Sequence, residues 1–265
     1  MQRLIFLKAY CCFPRAVRMI FDHLAGLLKA ERSMARSLHS IARHNRSTGE
    51  GNTLNLREFK QAGHWPTLLC AFIYFDISFV VWYVLGPLSN FIGEDLQLTS
   101  TQKGLLVATP LLGAAVFRII WGSLADYFGP KRAGLVGIAL TFVPLLCAWQ
   151  FGDSLPKMMF VAILLGVPGA SFAVALPMAS QWYPPKYQGL AMGIAGAGNS
   201  GTVLAALFLP RLAEAYGWRT AIAAAMVPLA IAGTLFLLFA KDSPTRPAPK
   251  KFGDYFKVLQ QRDSY

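Results

Sequence analysis

One arginine stands deep inside the apolar part of this 265-residue chain. Arg118 is the only Lys or Arg well within any of the long apolar stretches. A charged side chain in a bilayer is costly and usually faces a partner or a water-filled cavity. Its guanidinium presents a planar fork of N–H donors, which suits a flat oxyanion. Three further groups join it at similar depth: Asp76, Phe172 and Asn199. At about 1.5 Å per helical residue, counted from the ends of their stretches, Arg118 lies roughly 12 Å in, Asp76 and Phe172 roughly 13 Å, and Asn199 about 15 Å. Half of a ~30 Å hydrocarbon core is ~15 Å. Four apolar stretches therefore bring a charged, amide or aromatic group near one plane.

Six such stretches must position them. They are expected at 67–89, 103–125, 133–150, 157–181, 189–210 and 219–240. Each has about the 20 residues a helix needs to cross a bilayer. Runs such as LLVATPLLGAAVF do not alternate in polarity, so barrel strands are excluded. Only 14% of residues are charged. Soluble domains carry about 25%, so much of this chain has lipid as its solvent. The expected fold is all-α, a polytopic six-helix transmembrane bundle over residues 61–240.

The formal net charge of +12 resides mostly outside those stretches: residues 1–60 carry +7 and residues 241–265 carry +3. Basic residues beside membrane helices mark the cytoplasmic side. Lys131, Arg132, Lys186 and the basic tail share one side, and Glu94, Asp95 and Asp153 with Lys157 the other. Both termini are thus expected in the cytoplasm, with the chain a multi-pass protein of the cell (inner) membrane. Arg211 and Arg219 are exceptions to the charge rule. This distribution explains the basic balance without nucleic acid. The four cysteines (Cys11, Cys12, Cys70, Cys147) and four histidines (His23, His39, His44, His64) show no metal-ligand or disulfide spacing. No nucleophile–base pair or phosphate loop appears, so neither an enzyme nor a cofactor is expected.

Residues 1–60 form a basic segment too charged for a seventh span and without a signal-peptide pattern. An interfacial amphipathic helix, a disordered or mis-started leader, and an organelle transit peptide are its alternative readings. Thr53–Gly63 reads as a short helix along the membrane surface. Residues 241–265 read as a cytoplasmic linker at whose end a longer protein would be expected to continue.

Between the second and third stretches stands Gly122-Ser-Leu-Ala-Asp126-Tyr-Phe-Gly129-Pro-Lys131-Arg132. It resembles the G-x-x-x-D-x-x-G-x-[KR]-[KR] loop of the major facilitator superfamily, in the position that family uses. There Gly122 would let another helix approach, Asp126 would pair with a basic residue or cap a helix, and Lys131 and Arg132 would clamp an inward gate. A tight basic turn is the plainer account. The fifth stretch carries Gly189-x-x-x-Gly193, a small-residue packing pattern, and then Gly196-Ala-Gly198-Asn199-Ser200-Gly201. The latter resembles the Gly-rich signature of the nitrate/nitrite porter family. Phe75-Asp76 through Pro87-Leu88, Ala108-Thr109-Pro110 with Arg118, Tyr183-Pro184-Pro185-Lys186 and Asp242-Ser243-Pro244 are similar to other parts of that family.

The resemblance implies the amino-terminal half of a nitrate/nitrite transporter working by alternating access, with the substrate between two halves. The second half would be a separate chain or lost. Arg118, Asn199, Phe172 and Gly198 would form this half's share of the anion site. Asp76 would ion-pair with Arg118 or carry a coupled proton. Ordinary packing is the other reading of Phe172. A facilitator half for another anion or organic acid, and a truncated non-transporting fragment, are the alternative functions.

Overall fold

The structure is a computed structural model that describes residues 56–244. Among these, every regular element is a helix. A short helix, α1 (Leu56–Ala62), precedes six membrane-length helices. These are α2 (Trp65–Asp95), α3 (Ser100–Phe128), α4 (Pro130–Phe151), α5 (Leu155–Ser180), α6 (Pro185–Tyr216) and α7 (Trp218–Phe239). Readings placed on residues 1–55 and 245–265 lie outside the described residues.

Local chemistry sets the helix ends. His64 caps α2, its ring accepting from the Thr67 N–H at 3.2 Å. Thr99 and Gln102 form a reciprocal capping box at the start of α3. The joints from α3 to α4 and from α6 to α7 are single glycines. Gly129 (φ 99°) and Gly217 (φ 82°) adopt the left-handed region that reverses the chain in one residue. Interior breaks follow the same logic. A turn at Tyr83 precedes Gly86-Pro87 in α2, and α5 bends through Gly166–Ser171, which contains Pro168. A 3₁₀ turn spans Ala197–Ser200 in α6.

Spans α2 and α5 are the most buried, at 67% and 61%, whereas α6 and α7 are 28% buried. The first two are therefore the central helices, and much of α3, α4, α6 and α7 is apolar surface. The interior is built of Tyr74, Leu106, Trp121, Leu145, Met178 and Phe236 among others.

Two crossings bring backbones nearly into contact. On α3 and α5, a methyl added at Gly113 would strike the Ile163 carbonyl, and one at Gly166 would strike Gly113 and Ala114. On α2 and α6, a methyl at Gly198 would meet the Asp76 N–H and the Phe72 carbonyl, both at 2.9 Å. One at Gly201 would collide with the Asp76 carbonyl. Small residues permit such approach, and dispersion between the packed helices holds it.

Both ends of the bundle are tied. At one end the Asp242 carboxylate accepts from the Lys131 N–H at 2.8 Å and caps α4. There Trp182 Nε1 donates to the Lys241 carbonyl at 2.9 Å, and the Lys241 N–H donates to Thr67 Oγ1 at 3.0 Å. At the other end Trp218 Nε1 donates to Asp95 at 3.1 Å, and Arg219 donates to the Gly152 carbonyl at 3.1 Å. Arg219 also lies 3.7 Å from the Asp95 carboxylate. One of the two exceptions to the loop-charge pattern thus has a local structural partner.

Candidate functional site

The α3–α5 crossing positions the arginine. Arg118 lies five residues beyond Gly113, and Phe172 six beyond Gly166. That registry sets the Arg118 guanidinium carbon 5.6 Å from the Phe172 ring centroid, a cation–π distance. Phe172 in turn tilts against Phe75 of α2, with centroids 5.8 Å apart. Phe75 also sits under Gly198, where a methyl would meet Cδ1 at 2.9 Å. Phe79 and Trp82 continue the aromatic row along α2, at 4.2 and 4.9 Å between successive centroids. Trp82 Nε1 donates to the Pro110 carbonyl at 3.3 Å, tying this row to α3.

Arg118 and Asn199 are both exposed, and Phe172 is 43% exposed. Among the described residues neither the guanidinium nor the Asn199 amide has a hydrogen-bond or ion-pair partner. These donors are free to bind a further group. No bond joins Asn199 to Arg118.

Asp76 behaves differently from expectation. The anticipated ion pair with Arg118 is not formed. Instead Ser200 Oγ donates to Asp76 Oδ1 at 2.6 Å, and Asp76 is 8% exposed. The reason is the α2–α6 crossing. Gly198 and Gly201 let α6 close onto α2 at Asp76, and Ser200 then points at the carboxylate. Gly198 is buried by the same approach and acts here as a spacer between helices, whatever else it touches. Sequence reading singled out Asn199 and passed over Ser200. The signal available was only a hydroxyl among glycines, and adjacent residues of a 3₁₀ turn face directions about 120° apart.

The small residues of α6 divide into two sets. Gly198 and Gly201 pack against α2. Methyls at Gly189, Gly193 and Gly196 would meet nothing within 4 Å. The packing expected of Gly189 and Gly193 is therefore not made among the described residues. Gly122 of the loop motif is similar: a methyl there would find only Ala173 Cβ at 3.9 Å, an ordinary contact. The close helix approach expected at Gly122 is likewise absent. Gly129 has a plain local reason, its positive φ, and Lys131 contributes its backbone N–H to Asp242. Asp126 and Arg132 are exposed at the same end.

Near this end His64 has its pKa lowered, first by burial and then by the Lys241 charge. The neutral ring is the form that accepts from Thr67. Burial also raises the Tyr183 pKa, at the turn between α5 and α6.

Comparison with known proteins agrees with this architecture. The family model described as Major Facilitator Superfamily matches residues 69–262. A probable nitrate/nitrite transporter, NarK2, of Mycobacterium tuberculosis is 37% identical over 171 residues, covering 63% of this chain and 43% of that protein. A probable nitrate transporter, NarT, of Staphylococcus carnosus is 30% identical over 173 residues, covering 65% of this chain and 44% of that protein. The chain thus spans less than half the length of the curated relatives it matches. Among solved structures, the major facilitator proton:xylose symporter XylE superposes with a TM-score of 0.57 at 15% identity. That match covers 70% of this chain and 46% of XylE, and at this identity it speaks for the fold alone. Six membrane-length helices, the loop at Gly122–Arg132 and the family match lead to one conclusion: the chain belongs to the major facilitator superfamily.

Proposed function

We propose that this chain supplies the amino-terminal six-helix half of a nitrate/nitrite transporter in the cell membrane, with both termini cytoplasmic. The observation that carries the reading is Arg118. It is a membrane-embedded guanidinium seated on the Phe172 ring, with no anionic partner among the described residues. Leaving such a cation unneutralised in a low-dielectric setting is expensive. A small planar anion arriving at the fork would remove that cost and accept paired N–H bonds. Phe172 exposes the remainder of its ring beside the guanidinium, where it would exclude water from one face of the anion. Asn199 offers two further donors from α6. Nitrate and nitrite are flat, singly charged and weakly hydrated; the similar Mycobacterium protein is named a probable nitrate/nitrite transporter and the Staphylococcus one a probable nitrate transporter.

A second six-helix unit would complete the site. Such a unit would cover the exposed glycines of α6 and the exposed apolar side chains of α3 and α6. Alternating access would then rock the two units about the anion. The tie between Asp242 and the start of α4 would set the cytoplasmic rim, beside Lys131 and Arg132. Arg118 lies on α3, whereas Asp76, held by Ser200, lies on α2. In this reading it braces α6 and, when protonated, would loosen the α2–α6 crossing and couple a proton to transport.

The test is substrate competition in proteoliposomes holding this chain with a complementary six-helix half. Nitrate uptake blocked by nitrite and unaffected by lactate supports a porter for planar inorganic anions. Uptake of lactate in preference to nitrate would replace that substrate class with an organic acid.

A further inference from the structure

Away from Arg118, α1 and the first turns of α6 enclose a surface pocket of about 330 Å³. Its walls are Arg57, Phe59, Lys60, Trp65, Leu190 and Ile194. We propose that this pocket binds an anionic phospholipid, with the headgroup phosphate on Arg57 and Lys60 and an acyl chain along Leu190 and Ile194.

Its two ends differ in chemistry. Arg57 and Lys60 are exposed cations on α1. Lys60 Nζ stands 5.3 Å from the Trp65 ring centroid, which holds the ammonium at the rim. Lys186, one turn before Leu190 on α6, lies 5.2 Å from the Tyr187 ring and adds a third positive charge nearby. Glu58, the acid of α1, accepts from Tyr187 Oη at 3.0 Å and does not line the pocket. The other end is apolar. Leu190 and Ile194 lie five and nine residues past the start of α6 at Pro185, which is roughly 7 and 13 Å into the span.

The pocket therefore runs from headgroup level into the hydrocarbon. Cationic pockets at the membrane surface select anionic lipid headgroups, and Trp suits the interface between them and the acyl region. A free anion would leave the apolar wall unused. A choline headgroup would set its own cation against Arg57 and Lys60. The floor is rigid: Phe59 is 1% exposed and stacks on Tyr183 with centroids 4.5 Å apart. It fixes α1 on the turn between α5 and α6, so the cavity is part of the fold.

The test is native mass spectrometry of the full chain released from nanodiscs of equal phosphatidylglycerol and phosphatidylcholine. Wild type should retain phosphatidylglycerol over phosphatidylcholine by about tenfold. Arg57→Gln with Lys60→Gln should bring the ratio near one, and Arg57→Lys with Lys60→Arg should preserve it. Leu190→Trp, which fills the groove and keeps the charge, should abolish retention of either lipid. All variants should match wild type in elution profile and melting temperature. Equal retention of the two lipids by wild type would overturn the proposal. A preference that survives both Arg57→Gln with Lys60→Gln and Leu190→Trp would do the same, as would displacement of retained lipid by soluble glycerol 3-phosphate. The readout is lipid retention, so failure here leaves the transport reading untouched.

Discussion

Two faces of α6 follow opposite rules. On the face toward α2, Gly198 and Gly201 admit the neighbouring backbone, and Ser200 satisfies a buried carboxylate. On the other, methyls at Gly189, Gly193 and Gly196 would meet nothing within 4 Å, and the Asn199 amide is unbonded, both among the described residues. The α3–α5 pair repeats the contrast. Gly113 and Gly166 are in backbone contact, while Arg118 and Phe172 a turn or so further on lie open. The crossings are closed by backbone approach, and the polar groups just beyond them have no hydrogen-bond or ion-pair partner among the described residues. One glycine-rich helix thus has a packed face and an open one, and only position relative to the crossing tells them apart.

Substitutions should separate the closed region from the open one. The largest effect is expected at Gly166→Val, whose side chain must enter the Gly113–Ala114 backbone. Overpacking of this kind commonly costs about 1–3 kcal/mol, and more where backbone must move. Most of the protein should be lost from the monodisperse peak in size-exclusion chromatography. Recovery at wild-type yield would show that the crossing is not tight. Ser200→Ala comes next. It leaves Asp76 buried without its hydroxyl partner, at about 1–3 kcal/mol, and should lower the melting temperature clearly. An unchanged melting temperature would mean that Asp76 finds another donor.

The rim of the closed region should be acid-sensitive to a smaller degree. His64 has a lowered pKa in the folded chain, so its contribution is fully present above the ordinary value near 6.5. It is lost as pH falls through the lowered value, when the ring protonates and can no longer accept from Thr67. A helix cap of this type is worth about 1 kcal/mol. Melting curves at pH 7.5 and pH 5 should therefore differ less for His64→Ala than for wild type. The smallest effect belongs to the open face. Gly189→Ala and Gly193→Ala should change stability by no more than about 1 kcal/mol each, toward greater stability, since alanine favours helix. A large loss of stability in this chain alone would show that these glycines pack after all.

Much of this was legible in the sequence, for identifiable reasons. Membrane helices are long and apolar, so six spans and the all-α class follow from length and hydropathy. The ends were less so: α2 continues to Asp95 and α6 to Tyr216, beyond the apolar cores, because capping and end ties extend helices past the hydrocarbon. An isolated Arg among apolar residues is conspicuous, as is an Asn in a glycine run. Pairing was not legible. Equal depth for Asp76 and Arg118 suggested an ion pair, but depth leaves the rotation of each helix undetermined, and rotation gave Asp76 to Ser200. Asp242 read as part of a linker because an N-cap donated from more than a hundred residues away leaves no local pattern.

The central claim is that Arg118 is the anion-binding group of this half. Its most direct test is nitrate uptake by proteoliposomes holding this chain with a complementary six-helix half, comparing wild type with Arg118→Lys at matched protein. The substitution keeps the charge and removes the planar fork. The account predicts at least about a tenfold loss of uptake, with the melting temperature within a degree or two of wild type. Uptake at the wild-type rate would contradict it.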